Sequence, residues 1–442
     1  MKIKLSDHFT LKRLIMFTLP SILMMVFTSV YCVVDGFFIS NFAGPIEFAA
    51  VNFIFPFVSI LGTVGFLFGS GGSALVSKTL GEGNKEKANE IFSMLVYLVL
   101  GIGIVLAFSG YIFMEDIAIW LGSSEDMLKP CTIYGQTLML FLPFLLLQFT
   151  FQGFLVVAEK PQIGLFITLT AGITNMVLDA LFIAIFNFGV RGAAFATGLA
   201  QLIGGLIPLL YFTFNRKNNL KLGKTRLYLK ELGKTCVNGS SEFVSNISMS
   251  VVGMIYNFQL MKYIGEAGVS AYGTFMYVSF VFVAMFIGYS TGVAPIVGYN
   301  YGARNHQELK IVFKTSMKLV VGASIVMFIL AECLSVPLTY MFVGYDQQLF
   351  DITKNALIIS SICFLFSGLS IFTSSFFTAL NDGITSAIIS FLRVLVFQIA
   401  AILILPLIFD VNGIWASVVV ADFFAAILAV VFLIIKKKKF NY

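Results

Sequence analysis

The chain has 442 residues, 59% of them hydrophobic and 11% charged, with a formal net charge of +6, and its mean hydropathy is +0.95. No soluble protein can hide that much apolar surface, so a water-soluble enzyme or binding module is excluded and the bilayer is the solvent. The excess positive charge is distributed among loops in a way that reads as membrane topology, and no nucleic-acid partner is inferred from it.

In chain order, Met1–Arg13 carries Lys2, Lys4, Lys12 and Arg13 ahead of an apolar stretch reaching about residue 39. That stretch exceeds the ~7–15-residue core of a signal peptide and lacks an A-x-A-like cleavage site, so it predicts a first membrane span. Spans are predicted at 14–39, 48–77, 89–113, 128–157, 162–187, 191–214, 235–262, 267–297, 308–333, 350–379, 384–409 and 412–435. Each is near the ~20 residues that cross a ~30 Å hydrocarbon layer. Alternate loops collect Lys78, Lys85, Lys87, Lys160, the run Arg216–Lys234, Arg304, Lys310 and Lys436–Lys439, whereas the others hold Lys129, Arg191, Lys262 and Lys354. The positive-inside rule then predicts an all-α membrane protein of about twelve helices with both termini cytoplasmic.

The basic stretch 215–234 reads as a cytoplasmic connector between an N-terminal lobe, 1–214, and a C-terminal lobe, 235–442. A shift of 221 positions lays GEGN (81–84) on GARN (302–305), Gly44 on Gly265, and Val190 and Gly192 on Val411 and Gly413. Six helices per half is an even number, so the halves enter from the same side and should be related by a pseudo-two-fold axis along the membrane normal, around a central cavity.

Ionisable side chains at membrane depth cost several kcal/mol unless paired or hydrated, which makes each a functional candidate. Asp35 lies ~6 Å, Asp179 ~12 Å and Thr197 ~9 Å from the outer ends of their predicted spans, and Asn175 is one turn from Asp179. Two carboxylates, an amide and a hydroxyl form a hard-oxygen set suited to a small cation such as Na⁺, or to protons shared between acids that repel when both are ionised. Capping of local backbone is the competing reading. In the second half, Arg393 and Asp422 fall at equal depth near the midplane on adjacent spans, ~14 and ~15 Å in, which suggests an ion pair serving either structure or coupling. Glu242, in NGSSEFVSN, lines a cavity or sits at its helix entrance. Under the shift, Asp35 falls on Tyr256, Asn175 on Val396, Asp179 on Ala400 and Thr197 on Val418: the scaffold is duplicated and the acid cluster is not.

Other signals are weaker. Gly65-xxx-Gly69 and Gly288-xxx-Gly292 suit close helix packing. Five scattered cysteines suggest neither disulfides nor a zinc site, and no cofactor is expected. GGSALVSKT (71–79) approximates a phosphate-binding loop, but Ser77 replaces the second glycine and the segment continues a membrane span.

The segments VDGFFISNFAG (34–44), GSGGSALVSKTLGEGNKEKANEIF (69–92), TNMVLDALFI (174–183) and GARNHQELK (302–310) resemble the MATE family, multidrug and toxic compound extrusion, nearest its MepA-like branch, over the whole chain. The resemblance implies a non-enzymatic, multi-pass antiporter of the bacterial plasma membrane, functional as a monomer, that exports amphiphilic cationic drugs and dyes by alternating access in exchange for H⁺ or Na⁺. It also implies that Asp35, Asn175, Asp179 and Thr197 are the cation site; some relatives use second-lobe acids instead, and there Glu242 matches one position while 350–379 holds no acid at membrane depth. The alternatives are a flippase of lipid-linked or polysaccharide precursors, disfavoured because only Arg393 is a buried basic group, and a passive channel or receptor, which needs no repeat around an acid pair.

Overall fold

The computed structural model describes residues 3–215, 219–344 and 346–442, and within them all regular structure is helical. The first half contains α1 (Leu11–Phe38), α2 (Pro45–Gly81), α3 (Lys85–Ile112), the short α4 (Met114–Leu121), α5 (Glu125–Val157), α6 (Pro161–Asp179) and α7 (Gly189–Phe214). The second contains α8 (Leu229–Tyr263), α9 (Glu266–Gly302), α10 (His306–Val343), α11 (Gln347–Ser361), α12 (Phe364–Ala379), α13 (Gly383–Phe391), α14 (Gln398–Ile404) and α15 (Pro406–Phe440).

Among the described residues ten spans are long and apolar enough to cross a bilayer, and α11 with α12, bent by 51°, qualifies as an eleventh. The twelfth is α8, 35 residues long but polar through NGSSEFVSN. Its polar residues turn inward: Thr235, Asn238 and Ser241 are buried, and α8 packs on α2 and α13. It begins at Leu229 rather than 235, with first-turn Glu231 paired to Lys87 (Nζ to Oε1, 2.9 Å). Of the connector expected at 215–234, residues 216–218 lie outside the described residues. The following stretch is strapped to α3: the Lys221 amide donates to Asn89 Oδ1 at 2.7 Å, the Gly223 amide to Ser93 Oγ at 3.0 Å, and the Tyr228 hydroxyl to the Glu90 carboxylate.

The 221-residue offset recurs in the backbone. Gly83 (φ 81°) corresponds to Arg304 (φ 54°), Gly44 (φ 114°) to Gly265 (φ 77°) and Gly189 (φ 56°) to Asp410 (φ 49°). Asn84 caps α3 by accepting from the Lys87 amide at 3.0 Å, and Asn305 caps α10 by accepting from the Glu308 amide at 3.1 Å. The structure kinks at Asp410, whose φ of 49° and ψ of −134° belong to glycine territory. Asp410→Gly is expected to stabilise the fold by about 1 kcal/mol, the relieved strain less glycine's extra unfolded-state entropy. A raised Tm of the detergent-solubilised protein is the readout, and a lowered one would mean that the aspartate side chain holds this turn.

The two halves meet through glycines at the end of the molecule that carries the basic loops. A Cβ on Gly239 would lie 2.0 Å from Leu67 O, on Gly71 2.1 Å from Thr235 O, on Gly81 2.0 Å from Tyr299 O and on Gly302 2.0 Å from Lys78 O. The same holds for α9 on α1, where a Cβ on Gly288 would come within 2.6 Å of Ile22 Cα. Gly65 and Gly69, by contrast, let α2 approach α5 within the first half, 2.6 Å from Leu146 O and 2.8 Å from Phe149 O. Both GxxxG pairs thus permit backbone approach, one within the first half of the chain and one between its halves. The segment before α1 spans the same end: the Leu5 amide donates to Glu159 Oε1 at 3.0 Å in the first half, and the Phe9 amide to Glu308 Oε1 at 2.7 Å in the second. Leu5 and Phe9 are buried there.

Candidate functional site

Asp35 sits near the end of α1, just ahead of a π-helical turn, Ile39–Ala43. Asp179 is the last residue of α6, and a second π turn, Ala180–Ile185, follows it directly. Wide turns of this kind are rare and frequent at functional sites, because each extra residue rotates the side chains beyond it relative to those before it. Asp35 lies within side-chain reach of Asp179 and Asn175, yet no hydrogen bond of good geometry closes among them. Asp35 Oδ1, both carboxylate oxygens of Asp179, both amide atoms of Asn175 and the Thr197 hydroxyl are buried without a hydrogen-bond partner among the described residues. Asp179 is fully buried and Asn175 nearly so. So many polar atoms without a partner among the described residues, each of which would cost about 1–3 kcal/mol if left dry, make this cluster the candidate site of the first half.

The surroundings were not visible in the one-dimensional pattern. Tyr134 on α5 and Cys32 on α1 lie within electrostatic range of Asp35. Tyr277, on α9 of the opposite half, brings its hydroxyl to 3.7 Å from where a Cβ on Gly36 would stand, so the second half touches the first-half cluster. Gln201, one turn beyond Thr197 on α7, adds another unpartnered buried oxygen. The (i, i+4) spacing of Thr197 and Gln201 is the one signal in the sequence that points to it.

In the second half, Arg393 occupies a third π turn, Leu392–Phe397, between α13 and α14. Its Nε donates to Asp422 Oδ1 at 2.9 Å, and Asp422 Oδ2 accepts a short bond from the Ser367 hydroxyl on α12. The carboxylate is thus satisfied at both oxygens and buried, while the Arg393 side chain keeps 18% of its surface. Glu242 on α8 stands within electrostatic reach of Arg393, but no ion pair joins them; Arg393 pairs with Asp422. Tyr256, the repeat counterpart of Asp35, is buried with an unpartnered hydroxyl. No hydrogen bond or ion pair among the described residues joins the first-half cluster to the second-half group.

The sequence matches the MatE family over residues 20–181 and 243–404. The chain belongs to the MatE family. It is therefore a membrane transporter rather than a member of a catalytic family, and a multi-pass protein of the bacterial plasma membrane. MatE members similar to it include the Multidrug export protein MepA of Staphylococcus haemolyticus, 27% identical over 437 residues covering 95% of this chain and 92% of that one. MepA of Staphylococcus saprophyticus is 25% identical with the same coverage. Among solved structures, a MATE in complex with MaL6 superposes with a TM-score of 0.93 at 21% identity, covering 99% of this chain and 98% of that one. An outward-facing multidrug resistance MATE transporter of the MOP superfamily superposes at 0.92 and 21% over the same shares. The two matched segments fall one in each half, on either side of the connector.

Proposed function

We propose that this MatE protein is an H⁺- or Na⁺-coupled antiporter that exports amphiphilic cationic drugs and dyes, with the basic end and both termini in the cytoplasm. The observation that carries the coupling is the orphaned cluster of Asp35, Asn175, Asp179 and Thr197. Two neighbouring carboxylates at membrane depth repel when both are charged, and taking up H⁺ or Na⁺ removes that repulsion. The hard oxygens present suit either ion. The MepA relatives are named as multidrug export proteins, which supports the substrate class. The lobes 1–214 and 235–442 rock about the connector, and a single chain holds both.

Occupancy of the acid cluster bears on the lobes through the π turns after Asp35 and Asp179, where α1 and α6 can repack at small energetic cost. Exchange requires that cation and substrate disfavour one another's bound state, a coupling free energy between two sites. A flippase for pyrophosphate-linked lipids would need several basic groups at membrane depth, and Arg393 is a single one. The test is dye efflux from proteoliposomes while the proton and sodium gradients are collapsed separately. Collapse of one gradient should stop efflux; efflux indifferent to both would overturn the coupling.

A further inference from the structure

Arg393 has more donor capacity than its ion pair uses. Its Nε is taken by Asp422, which leaves the two Nη groups, with four N–H donors, bare of any hydrogen bond among the described residues. Desolvated guanidinium donors near the midplane of a membrane are not tolerated facing lipid, and the packing of the π turn that holds Arg393 shows where they lie. On α13, Ile384, Ile388 and Phe391 are exposed and form the outer stripe, whereas Ser386, Ile389 and Ser390 are buried. Arg393 lies in the π turn that follows those positions, and that turn packs against α8 and α15, where the Arg393 side chain keeps 18% of its surface.

Gly239 of α8 lies in the tight seam with Leu67; Glu242 comes three residues later, ~4.5 Å further along the axis, within electrostatic reach of Arg393. Its carboxylate makes no hydrogen bond or ion pair with any described residue, whereas its backbone carbonyl accepts from Asn246 Nδ2 at 2.8 Å. Two opposite charges thus stand within reach of each other without pairing, and the positive one presents a planar two-donor edge. Hydroxyls of Ser374, Ser386 and Ser390 bond among themselves at 2.8 Å, and none accepts from Arg393 among the described residues.

We infer that Arg393 and Glu242 form a recognition site for zwitterionic amphiphiles, the Nη edge of Arg393 taking a carboxylate and Glu242 taking an ammonium. The inference rests on the proposed export function and narrows its substrate class. A carboxylate meets a guanidinium edge-on through two parallel N–H···O bonds, a geometry that lysine's point charge cannot reproduce. Counting Arg393, Asp422 and Glu242 together, the wall carries one net negative charge when all three are ionised. A simple anion is therefore repelled, a simple cation binds through Glu242 alone, and a zwitterion meets both charges. Asp422, held by Ser367 and buried, positions the guanidinium and does not touch substrate.

A matched dye pair separates these contributions: rhodamine B, which carries a free carboxylate beside a cationic ring system, and its methyl ester, which carries the cation alone. Binding to the purified full chain is measured by fluorescence anisotropy, and transport is measured independently in proteoliposomes. Arg393→Lys, which keeps a positive charge beside Asp422, should weaken binding of rhodamine B roughly tenfold or more and raise its transport KM, while the ester changes less than about threefold. The double variant Arg393→Gln/Asp422→Asn removes both charges without leaving one buried alone, and should show the same selective loss; it keeps the test valid if the lysine variant folds poorly. Equal losses for acid and ester would make Arg393 a scaffold residue, and no loss for either would mean that it does not meet substrate; both overturn the inference. Wild-type protein that binds the dyes but does not move them in response to an ion gradient would instead overturn the export function, leaving the binding result to stand.

Discussion

Asp179→Asn should abolish gradient-driven efflux, by on the order of 100-fold, the upper end of coupling between two sites, while substrate binding persists. The substitution is nearly isosteric, so the packing around this fully buried side chain is kept. What is lost is the ability to change charge: an amide neither takes up a proton at physiological pH nor supplies the formal negative charge that holds Na⁺. Asp35→Asn should act in the same direction because the two carboxylates lie within reach of each other. Thr197→Val should be milder, since a hydroxyl supplies only a dipole and leaves both acids in place. Dye efflux under an imposed gradient and equilibrium dye binding in detergent are measured on the same preparations. Efflux near the wild-type rate in Asp179→Asn would remove the first-half cluster from the coupling mechanism and direct attention to Glu242.

How much of this was legible in the sequence depended on whether a feature is local. The spans were readable because bilayer thickness imposes a length and lipid imposes apolarity, and the repeated caps at Asn84 and Asn305 were readable as GEGN and GARN. The candidate acids were readable because polar groups at depth are costly. The π turns were not: the residues 39–43, 180–185 and 392–397 are ordinary helix formers, and tertiary packing decides whether an extra residue is accommodated. The 51° bend between α11 and α12 has no proline or glycine at its break, Ile362 and Cys363, to announce it. Tyr277 escaped notice because it reaches the acid cluster from the other half, some 240 residues away in sequence by the numbering. The buried positions of Leu5 and Phe9 were likewise hidden in a segment whose lysines dominate its composition.

Gly239→Val should trap the transporter open at its basic end. In the closed arrangement a side chain at this position would meet Leu67 O at 2.0 Å, a contact with backbone that no rotamer change relieves. Overpacking of this kind costs about 3 kcal/mol, enough to shift a closed-to-open ratio by roughly two orders of magnitude. The lobes themselves should fold normally, because Gly239 belongs to neither the first half's hydrophobic cluster around Phe92, Phe151 and Phe154, which Leu67 only flanks, nor the second's around Tyr256 and Trp415. Efflux should therefore fall on the order of 100-fold with expression and detergent-solution behaviour unchanged. Cys236, one turn before Gly239 and half-buried, reports the opening directly: in a background retaining that cysteine alone, an impermeant maleimide should label the valine variant faster than the parent from the basic-loop side. The spanning contacts of the Leu5 and Phe9 amides with Glu159 and Glu308 must then break as well, so removal of residues 3–9 should raise Cys236 labelling in the parent and add little in the valine variant. Unchanged labelling together with normal efflux in Gly239→Val would mean that closure of this seam is not a step of the transport cycle.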